Sequence, residues 1–393
     1  MAGDGAAPPL SPTAARYTRV VTRDLAPPGP PTRPRSRLVV NCRFLTRPVT
    51  GVERFAEELT TRLVDLRDDI LLVAPAGELR RTEIGGQPVH RVGRLRGHLW
   101  EQTELPRFAH RHGKAMLLNL ANTGPAFSRE QIVAIHDINH RRNPASFSWR
   151  FRTLYRALTP LLVRNAAAVV TVSQFSKQEI ATYYGRADGV FVIPNAVGEW
   201  VHVPGQQPAG VSDDEFFLLV GSPSAHKNIE VAIAGFLRYR SSGGRARLIL
   251  AGSAHASLAA TTADAVDEVQ SIGRVADEEL AWLYQHCKAF LFPSTYEGFG
   301  IPPIEAQAVG APVLASDIPA LREVLTPESA LWFAPGEPAQ IAEALAIVDS
   351  DPARIARLSE EGRRNADRFS WPDSAGALSE LIDRICDIER NSQ

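Results

Sequence analysis

Cysteine is scarce: Cys42, Cys287 and Cys386 are the chain's three, spaced too widely for a disulfide framework or a zinc-ligand pattern. Lysine is scarce too. Lys114, Lys177, Lys227 and Lys288 are its only members beside a large excess of arginine, which reads as genomic base composition and lets each lysine be weighed singly. No apolar run approaches the roughly 18–20 residues that cross a bilayer. The N-terminus lacks a charged start followed by an apolar stretch, so the expectation is a cytoplasmic protein without a secretory leader. A formal net charge of −1 argues against nucleic acid as a partner. After the first apolar run, "NCRFLTRPVTG" offers a single glycine, so the G-x-G-x-x-G dinucleotide signature is missing. The one D-x-D spelling, Asp349-Ser350-Asp351, ends one helical stretch and begins another. It reads as a helix junction, and neither a catalytic metal nor another cofactor is expected.

What is present is an alternation. With 393 residues and 44% apolar content the chain can bury two cores. Residues 1–36, ending in "APPGPPTRPRSR", have little to bury and read as a disordered Pro-rich arm. From Arg37 short unbroken runs of Val, Ile and Leu follow one another: "RLVVN", "ILLVA", "AMLLNL", "QIVAIHD" and "AAVVTVS". Such runs suit strands covered on both faces, hence a parallel sheet with helices on either side. In "TGVERFAEELTTRLVDL", Val52, Phe55, Ala56, Leu59 and Leu63 recur at helical spacing. Residues 198–215 lose the periodicity and read as a linker. The pattern then restarts with "FFLLVG", "ARLILAG", "AFLFPS" and "APVLAS". The expected organisation is an α/β N-terminal domain over 37–197, a second over 216–370, and a C-terminal helix over 371–393. Ligands of such sheets lie outside the carboxyl ends of the strands.

The most informative of those ends is "STYEGFGIPPIEAQAVGAPVLAS", with Glu297 and Glu305 eight positions apart. On one continuous helix the two carboxylates would sit about 80° apart, but Gly298, Gly300, Pro302 and Pro303 lie between them. Proline is tolerated in a first helical turn, so the helix is expected to start near Pro302, after a bare Gly298-Phe299-Gly300 turn. That leaves two separate carboxylate acceptors for hydroxyl groups and, between them, exposed amides at a helix start that suit phosphate. Glu305 is equally readable as an ordinary first-turn glutamate favoured by the helix dipole.

The segment "EGFGIPPIEAQAVGAPVLASDIPALREV" resembles the E-x7-E signature of retaining glycosyltransferases of family 4, whose fold is GT-B, two Rossmann-like domains facing a cleft. The resemblance implies that Glu297 faces the donor sugar and the reacting centre, that Glu305 binds the ribose hydroxyls, and that Gly298, Phe299 and Gly300 meet sugar and phosphate. "LLVGSPSAHKNIEVAI" is similar to the element whose basic residues hold the diphosphate, placing Lys227 there; His226 stands where arginine is usual, so contact from that side is expected to be weaker or pH-dependent. "VNCRFLTRPVTGVERFAEEL" resembles the loop in which Gly51 lets the backbone approach the donor, with Arg43 or Arg54 lining the cleft. "AIHDINH" puts His136 and Asp137 where the family faces acceptor and sugar. In "TVSQFSKQEI", Ser173 and Ser176 read as helix caps, with Ser173 kept as a cleft candidate.

The implied activity is metal-independent, retaining transfer of a hexose from a nucleotide sugar to a glycan or lipid-linked acceptor. The texture is closest to mannosyltransferases of surface-polysaccharide assembly, which implies GDP-mannose. A non-catalytic binding protein, or an epimerase or phosphorylase of the same fold, would carry similar motifs. The Arg- and aromatic-rich segment 141–164 reads either as a helix with its arginines in water or as a surface touching a lipid-diphosphate acceptor or an anionic membrane at the inner face of the plasma membrane.

Overall fold

The computed structural model describes residues 38–212, 214–252 and 268–391; the arm at 1–36 lies outside them. Fifteen strands are present among the described residues: β1 Leu38–Asn41, β2 Ile70–Ala74, β3 Glu83–Ile84, β4 Gln87–Pro88, β5 His90–Arg91, β6 Met116–Asn119, β7 Gln131–Ala134, β8 Ala168–Thr171, β9 Val190–Val192, β10 Phe216–Val220, β11 Arg247–Ala251, β12 Val269–Gly273, β13 Ala289–Phe292, β14 Val313–Ser316 and β15 Leu331–Phe333. Every apolar run identified in the sequence is one of them. β1, β6, β7, β8, β13 and β14 are buried along their whole length, as strands with helices on both faces must be.

The first sheet runs β5-β2-β1-β6-β7-β8-β9, the second β12-β11-β10-β13-β14-β15, and β3–β4 is a separate small ribbon. All pairings in the two large sheets are parallel. In each sheet the order reverses beside the first strand, between β1 and β6 and between β10 and β13. These are the switch points, where the following loops diverge and leave a crevice. The loops after β1, β10 and β13 carry Gly51, Lys227 and Glu297.

The helix Gly51–Leu66 buries Phe55, Ala56, Leu59 and Leu63 as its periodicity predicts. Val52 departs from that face and points into the cleft. The last helix, Trp371–Asn391, lies against the first domain: the Trp371 and Phe55 rings meet edge-on at 6.0 Å, and Ser374 Oγ donates to the Pro194 carbonyl at 2.9 Å. Arg67 clamps it further, bonding Asp69 and Asp383, each at 2.8 Å. Residues 198–215 are not a bare connector, because the turn Glu199–His202 packs on the helix Asp277–His286, where Gln285 donates to the Val201 and Val203 carbonyls.

The D-x-D spelling has structural partners. Asp349 accepts from Tyr239 at 2.6 Å and pairs with Lys288, while Asp351 caps the helix Pro352–Ala366 by accepting from the Arg354 amide. The three cysteines are all buried thiols.

Candidate active site

A cleft of about 800 Å³ opens between the two sheets, and eleven of the thirteen residues singled out in the sequence line it: Gly51, Arg54, His136, Asp137, His226, Lys227, Glu297, Gly298, Phe299, Gly300 and Glu305.

The helix Ile301–Ala308 begins one residue before Pro302, with Gly300 as its N-cap at φ 105°. That left-handed backbone suits glycine, and a β-carbon there would fall 2.6 Å from Leu321 Cδ2. Gly298 is constrained differently: its β-carbon would lie 2.8 Å from the His136 carbonyl oxygen of the other domain. The carbonyl of Gly298 accepts from the hydroxyls of Ser173 (2.6 Å) and Ser176 (3.2 Å). The glycine turn is thus seated directly on the first domain. The Phe299 ring packs edge-on against Phe369.

Lys227 Nζ pairs with Glu297 Oε1 at 2.7 Å. The loops that carry them are joined again where the Thr295 amide donates to the His226 carbonyl at 2.8 Å. Asp137 lies opposite; burial, reinforced by the charge of Glu297 against a bond from the Asn139 amide and the charge of Lys227, pushes its carboxyl up to about 6. His136 has one ring nitrogen, Nε2, 3.0 Å from the Leu120 carbonyl. A carbonyl only accepts, so Nε2 carries the proton and Nδ1 is the acceptor of the neutral ring. Burial lowers the imidazole's pKa, favouring that neutral form. The same holds for His226, which sits against Asn139 and Ser146 of the first domain at 3.3 Å.

Glu305 is 5% exposed and accepts from Tyr284 Oη at 3.2 Å. Burial pushes its carboxyl up to about 7, against the nearby charge of Arg54. Arg54 itself bridges the domains, bonding Asp277 at 2.8 Å and lying over the Trp200 ring at 4.9 Å. In the folded chain Glu305 keeps its proton up to about pH 7, whereas unfolded it would lose it near 4.5. Its stabilising effect is therefore complete below the lower value and lost as pH rises through the upper one. Relative to Glu305→Gln, the native chain is expected to lose on the order of a few kcal/mol of stability between about pH 5 and pH 8. Denaturant unfolding of both proteins at the two pH values checks this, and parallel pH profiles would refute it.

Two residues from the sequence reading do not line the cleft. Arg43 is 5% exposed and turned inward: it bonds Glu101 at 3.1 Å and Thr123 at 2.5 Å. Glu101 also accepts from Asn41 and Thr123. Burial pushes the Glu101 carboxyl up, but hydrogen bonding to His98 and the Arg43 charge outweigh it and leave it below its ordinary value. Arg43 is a core cation. Arg43→Ala should cost about 3–5 kcal/mol of stability by stranding a buried carboxylate, without changing kcat/KM of the folded fraction. A normal unfolding curve with a raised acceptor KM would return Arg43 to the cleft. Ser173, 1% exposed, lies behind the Gly298 turn, accepting from the Ser176 amide at 3.0 Å while holding that turn in place. Among the residues the sequence reading passed over, Trp200, Asn139 and Arg274 line the cleft. The signal available for Trp200 was a lone tryptophan in a connector without apolar periodicity.

Both halves of the chain match glycosyltransferase models. The model of Glycosyltransferase Family 4 matches residues 49–198, and that of Glycosyl transferases group 1 matches residues 206–365. The chain belongs to glycosyltransferase family 4. It is 31% identical over 236 residues to the O-antigen chain mannosyltransferase RfbU of Salmonella typhimurium, covering 59% of this chain and 64% of that one. It is 30% identical over 227 residues to the serotype-specific mannosyltransferase WbdA of Escherichia coli, covering 53% of this chain and 28% of that one. The matches thus span less than two thirds of these relatives' own length. Among solved structures, sucrose-phosphate synthase from Thermosynechococcus elongatus superimposes with a TM-score of 0.70 at 16% identity, over 88% of this chain and 98% of that one. Anabaena HepE, solved with UDP and glucose, gives 0.66 at 19% identity, over 88% and 99%. The shared architecture is the GT-B fold of this family.

Proposed function

We propose that the chain is a metal-independent, retaining hexosyltransferase that moves mannose from GDP-mannose to a glycan or lipid-linked acceptor. The observation that carries this reading is the Lys227–Glu297 pair, set where the switch points of both sheets meet, with Glu305 buried farther along the same cleft. A nucleotide sugar has parts for each. Lys227 is a point charge for the diphosphate, assisted by the amides at the start of the Ile301–Ala308 helix. Glu305 accepts from the ribose hydroxyls, and Glu297 faces the sugar. The mannose preference follows the two curated mannosyltransferases, which are closer in sequence than the UDP-bound structural neighbour.

In the reaction, the bond from the anomeric carbon to the diphosphate oxygen breaks and its electron pair stays on that oxygen. The acceptor hydroxyl attacks from the same face, its oxygen bonds to the anomeric carbon, and its proton passes to the departing phosphate oxygen. Lys227 offsets charge on the leaving diphosphate, while Glu297 offsets the positive charge that develops on the sugar. Neutral His136 accepts from a sugar hydroxyl through Nδ1. Because His226 favours its uncharged form, Lys227 carries the diphosphate without help from an arginine at that place. The exposed Trp149 and Leu154 support peripheral contact with an anionic membrane, which sedimentation with phosphatidylglycerol vesicles would detect.

Thermal unfolding with UDP, GDP, ADP and dTDP sugars, each with and without EDTA, tests the donor. A ligand at 100 times its Kd stabilises the native state by about 2.7 kcal/mol, so GDP-mannose should stand out whether or not EDTA is present. No shift from any nucleotide would remove the transferase reading. Loss of turnover with EDTA would remove metal independence, and an inverted anomeric product would remove retention.

A further inference from the structure

The segment 141–164 has a second face, turned into the cleft. Phe151 and Tyr155 sit four residues apart on the helix Trp149–Asn165, which places them on one side. Their rings stack at 4.0 Å with 15° between planes, and Phe147 extends the stack onto Phe151 at 5.0 Å and 11°. Phe147 is held there by the turn into the helix, where Ser148 caps and accepts from the Phe151 amide at 3.3 Å. All three rings line the same cleft as Glu297 and His136. Tyr155 is 7% exposed, but Phe147 and Phe151 are only half-buried and leave ring surface facing water. Nothing in the donor-side chemistry uses them.

An aromatic ladder beside hydrogen-bonding groups suits one kind of molecule. Around it lie Asn139, His140, Thr159 and Arg47. The ladder also abuts the donor loop, since Ser146, one residue before Phe147, touches His226 Nδ1 at 3.3 Å. A pyranose ring has an apolar C–H face and a rim of hydroxyls, so it can lie on the rings while its rim meets the polar groups. A polyisoprenoid chain has no use for those polar groups.

We infer that Phe147, the open end of the stack backed by Phe151 and Tyr155, forms the acceptor platform, stacking on the terminal hexopyranose of a glycan acceptor and presenting its hydroxyl to the donor sugar. The inference rests on the transferase reading for its meaning but is tested by saccharide binding alone. Saturation-transfer NMR with α-mannotriose, and with maltotriose and farnesyl phosphate as comparators, would be run on the native chain and on Phe147→Ala/Phe151→Ala. The native chain should transfer most strongly to the ring C–H protons of one saccharide's terminal residue. The double variant should lose about tenfold in saccharide affinity, which corresponds to about 1.4 kcal/mol. Phe147→Tyr should keep the native affinity, and a retained nucleotide-induced melting shift shows the double variant to be folded. If neither saccharide binds the native chain, or one binds the double variant equally well, the platform is wrong. Loss of farnesyl phosphate binding with saccharide binding intact would also overturn it, in favour of a lipid subsite. Absence of any nucleotide shift in the native chain would strike the transferase reading and leave the saccharide result to stand by itself.

Discussion

Glu297→Ala is expected to lower kcat by about 10²–10³-fold, the scale seen when one preorganised electrostatic partner of a transition state is removed, while binding of the nucleoside diphosphate persists. The two effects part because of what Glu297 touches. Its carboxylate is joined to Lys227 at 2.7 Å and neutralises that cation. Removing the carboxylate leaves Lys227 free to give its donors to a diphosphate, and the nucleotide's anchor is retained or strengthened. What is lost is the negative charge beside the sugar, which matters most when the anomeric carbon becomes electron-poor. Steady-state kinetics with calorimetric titration of GDP decide the matter. Full turnover would dismiss Glu297 from the reacting centre. Loss of GDP binding in parallel with turnover would make it a donor-binding group instead.

Gly298→Ala should reduce kcat/KM by about tenfold to a hundredfold, because a displacement approaching 1 Å at the reacting groups is enough for that loss. The added β-carbon would stand 2.8 Å from the His136 carbonyl and 3.1 Å from Asp137 Cβ. A backbone carbonyl cannot rotate aside as a flexible side chain can, so the glycine turn must withdraw from the first domain. Withdrawal weakens the Ser173 and Ser176 hydroxyl bonds to the Gly298 carbonyl and moves Glu297, one residue away, relative to His136. Lys227 and Glu305, proposed to hold the nucleotide, belong to the second domain, and nucleotide affinity should be kept. Kinetics beside a nucleotide-induced melting shift test the pair of outcomes. An alanine variant with native kcat/KM would show that the close approach is not needed for turnover.

Much of this chain's architecture is local and therefore readable from residue order. Unbroken Val, Ile and Leu runs can be satisfied only by strands covered on both faces, and the Gly-Phe-Gly-Ile-Pro-Pro string permits a helix start only after Gly300. Those constraints operate within a few residues, and the loops they end in are the ones that meet at the cleft. The sequence by itself therefore determined a two-sheet chain of the family-4 type, and where along it Lys227, Glu297 and Glu305 would stand. What the tertiary structure alone decided depends on partners far apart in the chain. Arg43 has the look of a cleft cation, yet Glu101, fifty-eight residues later, draws it into the core; a buried charge goes where its counter-charge is. Ser173 was legible as a cap, but its second bond goes to Gly298, 125 residues away and in the other domain. The arginines of 141–164 advertise a solvated helix, and only packing shows that Phe147, Phe151 and Tyr155 turn to the cleft. Residue order specifies which faces a segment offers, whereas the choice of what each face meets is made by the whole fold, because burial and charge pairing are properties of neighbours in space.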